Sequence, residues 1–469
     1  MAKQGSGGHD FALDRGQGPE DFTVLGRSLE DGSPVGYYQQ DRVFHTQVLG
    51  MAGSGKSTLL ENIALQDMQA GRGGLFLDPH GDSAERLAAA APAEAVRHGR
   101  VAYLDFGAEQ DGLVALNPFE VADVTSEESR QDTVDRALDL LERAVGLGDS
   151  ASRPGDSAPR IVKYIGKALR TLAFLPEAGG SVRGGATLMD LMPLYRDAAF
   201  REYAMGYVTD ESLKSWWSMV FGGMQGSKAV GEMAALENRL GPVLNDSRLV
   251  AVLSEPRSTL DIAKAMDAGI YVIVSMGKAR NSGVFRRLVG SSLVSQAIVA
   301  ALGRHGRVPE ADRRRFHLVL DEFHHFLTNE FWPAMEEARK YGLSLTVAHQ
   351  SMGQLEGHPE IVRALGYNAQ NRIAYGVGPA DAAYLADFMA PFTAADLVGL
   401  PSFHAGVKLR QAGGRGVPGF EIVTLPPQAD GDGDNGLLPL RPGDSVGPLY
   451  GRYVPVPDGP EAERDSVVL

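Results

Sequence analysis

The stretch that decides the fold is Gln47–Ser57, which reads Gln-Val-Leu-Gly-Met-Ala-Gly-Ser-Gly-Lys-Ser. An apolar run leads into it, and a helical pattern follows it over residues 57–70. Gly50, Gly53 and Gly55 allow successive backbone N–H groups to turn toward one point, and the helix directs its positive end to the same place. The stretch matches the phosphate-binding loop G-x-x-x-x-G-K-[ST] at every specified position. The sequence therefore predicts that a nucleoside triphosphate binds to this loop.

The residue types of this loop also predict its ligands. Lys56 is expected to reach the β- and γ-phosphates of ATP, and the Ser57 hydroxyl is expected to bind Mg²⁺. The alternative is a glycine-rich loop that happens to precede a lysine, but it accounts for neither the strand before the loop nor the helix after it. The predicted nucleotide-binding residues of the loop are Gly50, Gly53, Ser54, Gly55, Lys56, Ser57 and Thr58.

Two further strand-like runs end in polar side chains that suit hydrolysis. Phe316–Leu320 is followed by Asp321, expected to hold Mg²⁺ through water, and by Glu322, expected to activate the attacking water. Leu343–Val347 leads to Gln350, whose amide both donates and accepts hydrogen bonds and is expected to sense the γ-phosphate and orient water. Each strand end alone would be ordinary surface. Together with the loop they predict a hydrolytic site.

Other polar residues at strand ends leave two interpretations open. Asp78 and His80 follow the run Gly74–Leu77 and are expected at the carboxyl edge of the sheet, where they would line the nucleotide site. A plain turn explains the same residues equally well. His324 and His325 follow the acidic pair, but adjacent histidines lack the spacing of a zinc site, so we predict a structural role for them.

Short apolar runs alternate with helical patterns along the middle of the chain. Several runs are continuous rather than alternating, which is typical of strands buried on both faces of a parallel sheet. The predicted class is therefore α/β, with a mostly parallel central sheet between layers of helices. The predicted strands are Thr46–Leu49, Gly74–Leu77, Val101–Leu104, Ile270–Val274, His317–Leu320, Leu343–Val347 and Asn371–Tyr375.

Composition and periodicity divide the chain into five segments. Residues 1–20 are polar and glycine-rich, and residues 429–469 are acidic and proline-rich, so we predict a flexible leader and a flexible tail. From 126 to 251 the pattern is helical throughout, which predicts an all-helical insertion. The α/β core is expected on either side of this insertion, over 21–125 and 252–428.

Composition also excludes several classes of protein. The chain has 469 residues, a formal net charge of −14 and no cysteine. The charge argues against a protein that coats DNA non-specifically, although a ring with a basic channel remains compatible with it. The lack of cysteine excludes disulfides and thiolate metal sites. Because no apolar run approaches the ~18 residues of a membrane helix, we expect a cytoplasmic protein that reaches a membrane only through partners.

These motifs resemble those of the HerA–FtsK superfamily of hexameric DNA-pumping ATPases. They are most similar to the soluble ATPase part of TraG/TraD-type conjugative coupling proteins and their HerA-like relatives, over residues 22–425. Besides the loop and the acidic pair, the matching pieces are Asp41–His45, Leu77–Asp82, Leu116–Phe119, Ser258–Asp261, Glu337–Gly342, Ala348–Gln350 and Asn368–Arg372. The resemblance implies a RecA-like core, a ring expected to hold six subunits, and ATP bound between neighbours.

The resemblance further implies an arginine finger, a residue that completes the nucleotide site of the next subunit. By that analogy Arg339 is the first candidate, and its alternative is an ordinary basic residue on an exposed helix, Phe331–Tyr341. Arg372 is the reserve candidate and Arg42 a weaker one.

The function implied is an ATP-hydrolysing ring motor that translocates DNA, in conjugation or in HerA-like DNA processing or defence. The alternative is an ATPase that energises or switches a secretion or nuclease assembly without itself pumping DNA. Expected partners are DNA, further copies of the chain, and a relaxase, secretion channel or nuclease. Candidate DNA contacts are Lys278–Arg280 with Arg286 and Arg287, and the loop Gly222–Lys228. The membrane helices that usually begin coupling proteins, and the β-barrel that usually begins HerA, have no counterpart in this sequence.

Overall fold

The computed structural model describes residues 21–109, 112–147, 158–176, 185–223, 226–277, 280–410, 418–427 and 437. The predicted leader and nearly all of the predicted acidic tail lie outside the described residues, as do Lys278 and part of the loop Gly222–Lys228. One sheet of eleven strands forms the centre of the molecule. The strands are β1 (Phe22–Ser28), β2 (Pro34–Tyr38), β3 (Thr46–Leu49), β4 (Gly73–Asp78), β5 (Val101–Asp105), β6 (Tyr271–Ser275), β7 (Phe316–Leu320), β8 (Leu343–His349), β9 (Asn371–Ala374), β10 (His404–Lys408) and β11 (Phe420–Thr424).

The strands lie in the order β2-β1-β11-β10-β9-β3-β8-β7-β4-β6-β5. From β9 to β5 every pairing is parallel, whereas β10, β11, β1 and β2 extend the sheet by antiparallel pairings. All seven predicted strands are present, and they are the parallel ones. The predicted α/β class with a mostly parallel sheet is confirmed, and the antiparallel extension is the part that the pattern did not predict.

Helices cover both faces of the sheet. Along β4, Leu75 and Leu77 join the core on one face while Phe76 joins the core on the other, because successive side chains in a strand point to opposite sides. The helices are α1 (Gln39–Arg42), α2 (Lys56–Gln69), α3 (Asp82–Ala89), α4 (Ala93–Arg97), α5 (Glu127–Val145), α6 (Ala158–Leu172), α7 (Leu191–Arg196), α8 (Ala198–Met205), α9 (Glu211–Ser215), α10 (Gly226–Leu244), α11 (Ser247–Leu253), α12 (Ile262–Ala268), α13 (Gly283–Leu302), α14 (Phe331–Glu337), α15 (Pro359–Asn368), α16 (Pro379–Ala386) and α17 (Ala394–Val398).

The chain between β5 and β6 holds the helices α5 to α12, and a hydrogen-bonded hub connects its two ends. The Asn117 side chain donates to the carbonyl oxygens of Ala186 (3.0 Å) and Pro256 (2.7 Å), and its backbone N–H donates to the Ser258 hydroxyl (3.0 Å). The motifs around Asn117 and Ser258 therefore join the helical region to the core. Its division from the core as a separate domain stays a prediction.

Helix α13 is long and apolar enough to cross a bilayer, judged by length and composition alone. It is nevertheless mostly buried inside the protein, where it packs against α5 and α12. Its apolar character is that of a core helix, since a helix that is hydrophobic all round is expected where protein surrounds it.

Candidate nucleotide site

The loop between β3 and α2 depends on its glycines for its shape. Gly53 and Gly55 have φ angles of 74° and 113°, in the left-handed region that favours glycine. A Cβ atom on Gly50 would lie 2.6 Å from the Tyr375 Cβ, and one on Gly55 would lie 2.9 Å from the Phe403 ring. Gly50 and Gly55 therefore have no room for a side chain, as the phosphate-loop pattern predicts, and Gly53 favours glycine through its φ angle alone.

Two aromatic residues that the motif does not contain support this loop. Phe403 donates its backbone N–H to the Ser54 carbonyl oxygen (2.9 Å), and the Tyr375 hydroxyl donates to the Gly55 carbonyl oxygen (3.3 Å). Both lie beyond the parallel strand β9, in parts of the chain without a recognisable motif. Their role follows only from the tertiary structure.

Lys56 opens helix α2 at the base of the loop. Its ammonium donates to the carbonyl oxygens of Gly50 (2.6 Å) and Met51 (3.1 Å). Burial lowers the pKa of Lys56, while the charges of Asp321 and Glu322 act to raise it. The ammonium is thus close enough to the predicted metal ligand Asp321 and the predicted base Glu322 to interact with both, although they come from a distant part of the sequence.

Ser57 and Asp321 are brought into direct contact. The Ser57 hydroxyl donates to Asp321 Oδ2 at 2.7 Å, across 264 positions of sequence. Asp321 is only 3% exposed, and burial raises its pKa to about 6, an effect that the Ser57 hydrogen bond opposes and the charges of Asp78 and Glu322 increase. A buried carboxylate with a raised pKa favours a positive partner, because a cation stabilises its ionised form.

This pair of oxygens fits Mg²⁺. Magnesium prefers hard oxygen ligands, and it is usually held by one or two protein groups together with water and substrate phosphates. Across the described ranges no group of three or more His, Cys, Asp or Glu side chains could hold a metal by itself. The donors Ser57 and Asp321 therefore suit a magnesium ion that binds together with a nucleotide rather than a resident metal, and this assignment stays a prediction.

Glu322 adopts an unusual backbone conformation immediately after β7. Its φ of 46° and ψ of 47° lie in the left-handed region, which non-glycine residues rarely adopt and which is enriched at functional sites. Its carboxylate accepts hydrogen bonds from Gln350 Nε2 (2.6 Å) and Gln354 Nε2 (3.3 Å). The two glutamines, on the turn after β8, therefore determine where this carboxylate points.

Gln354 is a site residue that the sequence analysis missed. Its Oε1 accepts the backbone N–H groups of Gln350 (2.8 Å) and Ser351 (3.3 Å), while its amide nitrogen reaches Glu322. A signal was available, because Ser351 and Gln354 have the spacing of a capping box. The prediction for His324 was also incomplete, since its Nδ1 lies 3.6 Å from Glu322 Oε2, beside the site.

Comparisons with known proteins bear on the fold that holds these residues. The model of a family described as the TraM recognition site of TraD and TraG matches residues 315–390, which include β7, β8 and β9. The bacterial conjugative coupling protein TrwBΔN70 in its unbound form superposes with a TM-score of 0.58 at 16% identity, covering 86% of this chain and 89% of that chain. The resemblance to the TraG/TraD-type P-loop ATPases is confirmed.

Further solved structures share the fold at similarly low identity. TrwB in complex with ADP and Mg²⁺ matches with a TM-score of 0.58 at 17% identity, over 87% of this chain and 90% of that chain. VirB4 of Thermoanaerobacter pseudethanolicus matches with a TM-score of 0.57 at 14% identity, over 88% and 98%. No curated protein matches the chain by sequence. At these identities the comparison establishes the RecA-like fold alone.

At the end of β4, Asp78 forms the turn that was the alternative to nucleotide binding. Its Oδ1 accepts the backbone N–H of His80 (2.8 Å), and its Oδ2 accepts those of Ser83 (2.8 Å) and Ala84 (3.1 Å) at the start of α3. The carboxylate is therefore committed to its own backbone. His80 is half-buried near His325, and its predicted contact with the nucleotide stays a prediction.

Arg339 is exposed at the opposite end of β8 from Gln350. Its guanidinium lies over the Phe44 ring, 4.6 Å from the centroid, and Arg410 lies over the same ring. Strand β8 has seven residues, so Arg339 is separated from its own nucleotide site by roughly 20 Å. It could serve only the site of another subunit, and that role stays a prediction.

The two reserve arginines are internal, so both reserve assignments are wrong. Arg372 is 6% exposed and donates to the carbonyl oxygens of Leu365 (3.3 Å) and Gly366 (2.6 Å). Arg42 is fully buried and pairs with Asp67 at 2.6 Å. Their sequence positions gave no indication of burial, because a long basic side chain is normally exposed.

The candidate DNA contacts are partly used inside the protein. Arg280 pairs with Glu109, Arg286 donates to the Asn281 carbonyl oxygen, and Arg287 donates to the Ala144 carbonyl oxygen. In the second candidate loop, residues 226–228 begin helix α10. These contacts lie within the protein, and the role of the arginines in binding DNA stays a prediction.

Proposed function

We propose that the protein is an ATP-hydrolysing ring motor that translocates DNA, in conjugative transfer or in HerA-like DNA processing or defence. The observation that carries the proposal is the meeting of three distant segments at one edge of the sheet. Ser57 contacts Asp321 at 2.7 Å, and Gln350 holds the neighbouring Glu322 at 2.6 Å. This is the set of side chains that hydrolysis of a phosphate-loop nucleotide requires.

Each residue of the site has a distinct proposed task. The loop amides and Lys56 bind the phosphates, and the Lys56 ammonium exchanges its carbonyl partners for phosphate oxygens. Ser57 and Asp321 hold Mg²⁺, which neutralises charge that develops on the phosphates. Glu322 accepts a proton from the attacking water, and Gln350 fixes the direction of that carboxylate. That a coupling protein of the same fold binds ADP and Mg²⁺ supports both cofactors.

A ring is proposed because the family resemblance implies an arginine finger from a neighbouring copy, and Arg339 lies too far along β8 to serve its own loop. Arg339 is exposed and lies roughly 20 Å from its own loop, along β8. In a closed head-to-tail ring, expected to hold six subunits, the same residue would approach the next subunit's phosphates. Residues 315–390 match a region named for TraM recognition, which supports a relaxosome-type partner for a cytoplasmic ring.

The second candidate function is an ATPase that energises or switches a secretion or nuclease assembly without pumping DNA. Two observations favour it. The net charge is −14, and Arg280, Arg286 and Arg287 are engaged in contacts within the protein. A surface of this kind would not hold a DNA backbone tightly.

Steady-state ATP hydrolysis with and without duplex DNA, at moderate salt, separates the two functions. The motor predicts Mg²⁺-dependent turnover that DNA stimulates severalfold, with Lys56→Ala inactive under both conditions. Turnover without stimulation and without measurable DNA binding would favour the second function. If the full chain turns over no ATP in any ring-forming condition, both proposals are contradicted.

A further inference from the structure

A second polar site lies at the opposite edge of the sheet from the nucleotide loop, where the parallel strands begin. A cavity of about 380 Å³ opens there, and four arginines are among its lining residues. Arg72 immediately precedes β4, Arg100 precedes β5, and Arg314 and Arg315 precede β7. Because parallel strands start at the same edge, residues that are far apart in sequence bring their charges together.

The most buried polar side chain that lines this cavity is that of His317, in β7. Its side chain is fully buried, and its Nδ1 lies 2.6 Å from the Ser344 hydroxyl oxygen. Its Nε2 has no hydrogen-bond partner within the described part of the chain. Leaving a buried polar atom unpaired costs free energy, so this nitrogen favours a ligand that forms a hydrogen bond with it.

Two of the arginines keep their guanidinium groups uncommitted. For Arg100 and Arg315 the structure shows no side-chain hydrogen bond to any described residue, whereas Arg314 donates to the Ala268 carbonyl oxygen (2.9 Å). Arg72 pairs with Asp67 at 3.1 Å from within the cavity wall. The free donors are therefore concentrated on Arg100 and Arg315, which line one opening and precede β5 and β7, two strands separated in the sheet by β6 and β4.

The charge balance of the cavity is positive, in contrast to that of the whole chain. Asp21 is the one acidic residue among its described lining residues, against four arginines. Asp67 lies behind the wall and is already paired with the buried Arg42 as well as with Arg72. A chain of net charge −14 therefore presents a local excess of about three positive charges at this edge.

We propose that this cavity is a binding site for a phosphate group. Guanidinium groups match phosphate oxygens in pairs, and several arginines around one opening are typical of phosphate recognition. The cavity volume lies within the range of small-molecule sites. The parallel strands separate it from the nucleotide loop by roughly 15–20 Å, so one triphosphate cannot occupy both. The source of the phosphate is either the backbone of DNA or a free phosphorylated anion, and the proposal does not depend on the proposed function.

The test uses the full chain and two pairs of charge reversals. Arg100→Glu with Arg315→Glu removes the uncommitted donors, and Arg170→Glu with Arg363→Glu is the matched control at exposed helical arginines outside the cavity. Inorganic diphosphate is titrated calorimetrically into each variant in a Lys56→Ala background, which weakens the loop site. Duplex DNA binding is measured by fluorescence anisotropy against salt concentration.

If the ligand is a free phosphorylated anion, the affinity for diphosphate should fall at least tenfold in the cavity variant and stay unchanged in the control. A DNA backbone as the source predicts that DNA affinity falls instead, and that the slope of log K against log salt decreases by about 0.9 for each lost phosphate contact. Cavity variants that bind both ligands as the control does would overturn the proposal. If the charge reversals prevent folding, Arg100→Gln with Arg315→Gln replaces them. ATP turnover without DNA is measured in the same charge-reversal variants with Lys56 intact and is expected to be unchanged, so failure here is distinct from failure of the proposed function.

Discussion

Where the parallel strands end, the structure gathers Asp321 and Glu322 around a glycine loop; where they begin, it gathers Arg100 and Arg315 around a cavity. The first edge could be predicted, because local motifs encode both its loop and its acidic pair. The second could not, because its arginines precede three different strands and only the strand order brings them together. A site whose residues are far apart in sequence and meet only in the folded sheet has no contiguous motif, so motif analysis does not find it.

The largest functional effect is expected at the edge that motifs predict. Glu322→Gln keeps the size of the side chain but removes the proposed proton acceptor, so kcat should fall by about 10²–10⁴-fold while nucleotide binding persists. Steady-state ATP hydrolysis and nucleotide binding measure the two quantities. Glu356→Gln, at an exposed carboxylate on the same side of β8, is the control and should turn over normally. Unchanged turnover in Glu322→Gln would show that this carboxylate is not the base.

The largest structural effect is expected near the other edge. Asp67→Asn leaves the fully buried Arg42 without its carboxylate, and removing one partner of a buried ion pair costs about 3–5 kcal/mol. Urea unfolding measures this loss, with the exposed Asp312→Asn as control. A loss below about 1 kcal/mol, the range of exposed pairs, would show that the pair does not stabilise this edge.

The Arg42–Asp67 pair also predicts a pH dependence. Burial alone would raise the pKa of Asp67, but Arg42 and its other basic neighbours lower it overall. A carboxylate whose pKa is lowered in the folded state stabilises the protein at pH values above its ordinary pKa of 3.8. This stabilisation is lost as the pH falls through the lowered pKa of the folded state. The difference in unfolding free energy between wild type and Asp67→Asn should therefore shrink only in strong acid.

The stability that Asp321 contributes should depend on pH in the opposite direction. Because burial raises its pKa from 3.8 to about 6, the folded protein binds this proton more tightly than the unfolded chain, and the stability from the group is lost as the pH rises through about 6. Asp321→Asn cannot ionise and should be more stable than wild type at pH 8, by up to about 3 kcal/mol. The gain should disappear in acid, and Mg²⁺-dependent turnover should be lost at every pH. Thermal unfolding without nucleotide measures the stability of Asp321→Asn relative to wild type across the pH range. A gain in stability that is independent of pH would contradict the prediction.

The smallest effect is expected at Gln354, which acts through Glu322. Gln354→Leu removes one donor to the carboxylate, and kcat should fall by about 10–100-fold with little change in KM, as for other residues that orient a catalytic group. Gln131→Leu, on helix α5, is the control. Equal changes in kcat and KM for both variants would indicate a general loss of structure rather than lost positioning.

The sequence predicted the parts of the fold that depend on local residue patterns. Seven parallel strands are continuous apolar runs, and buried strands of this kind are recognisable without tertiary information. The four antiparallel strands β1, β2, β10 and β11 were missed, and runs such as Pro34–Tyr38 and His404–Lys408 contain glycine and polar residues that interrupt the apolar pattern.

The site shows the same division. The loop Gly50–Ser57 and the acidic pair could be found from sequence, because each is a short contiguous pattern. Phe403 and Tyr375 could not be ranked above other residues of their types, since their roles depend on contacts across the fold. For the arginines, sequence cannot separate a buried guanidinium such as Arg42 from an exposed one such as Arg339, because burial depends on the packing of neighbouring elements.

The central claim is that Lys56 and Glu322 act on one triphosphate, and a crystal structure of the full chain with Mg²⁺ and a non-hydrolysable ATP analogue tests it most directly. We expect the Lys56 ammonium within hydrogen-bond distance of the β- and γ-phosphates, the metal about 2.1 Å from the Ser57 hydroxyl oxygen, and the Glu322 carboxylate facing the γ-phosphate with room for one water. A nucleotide bound elsewhere, or a γ-phosphate directed away from Glu322, would contradict the claim.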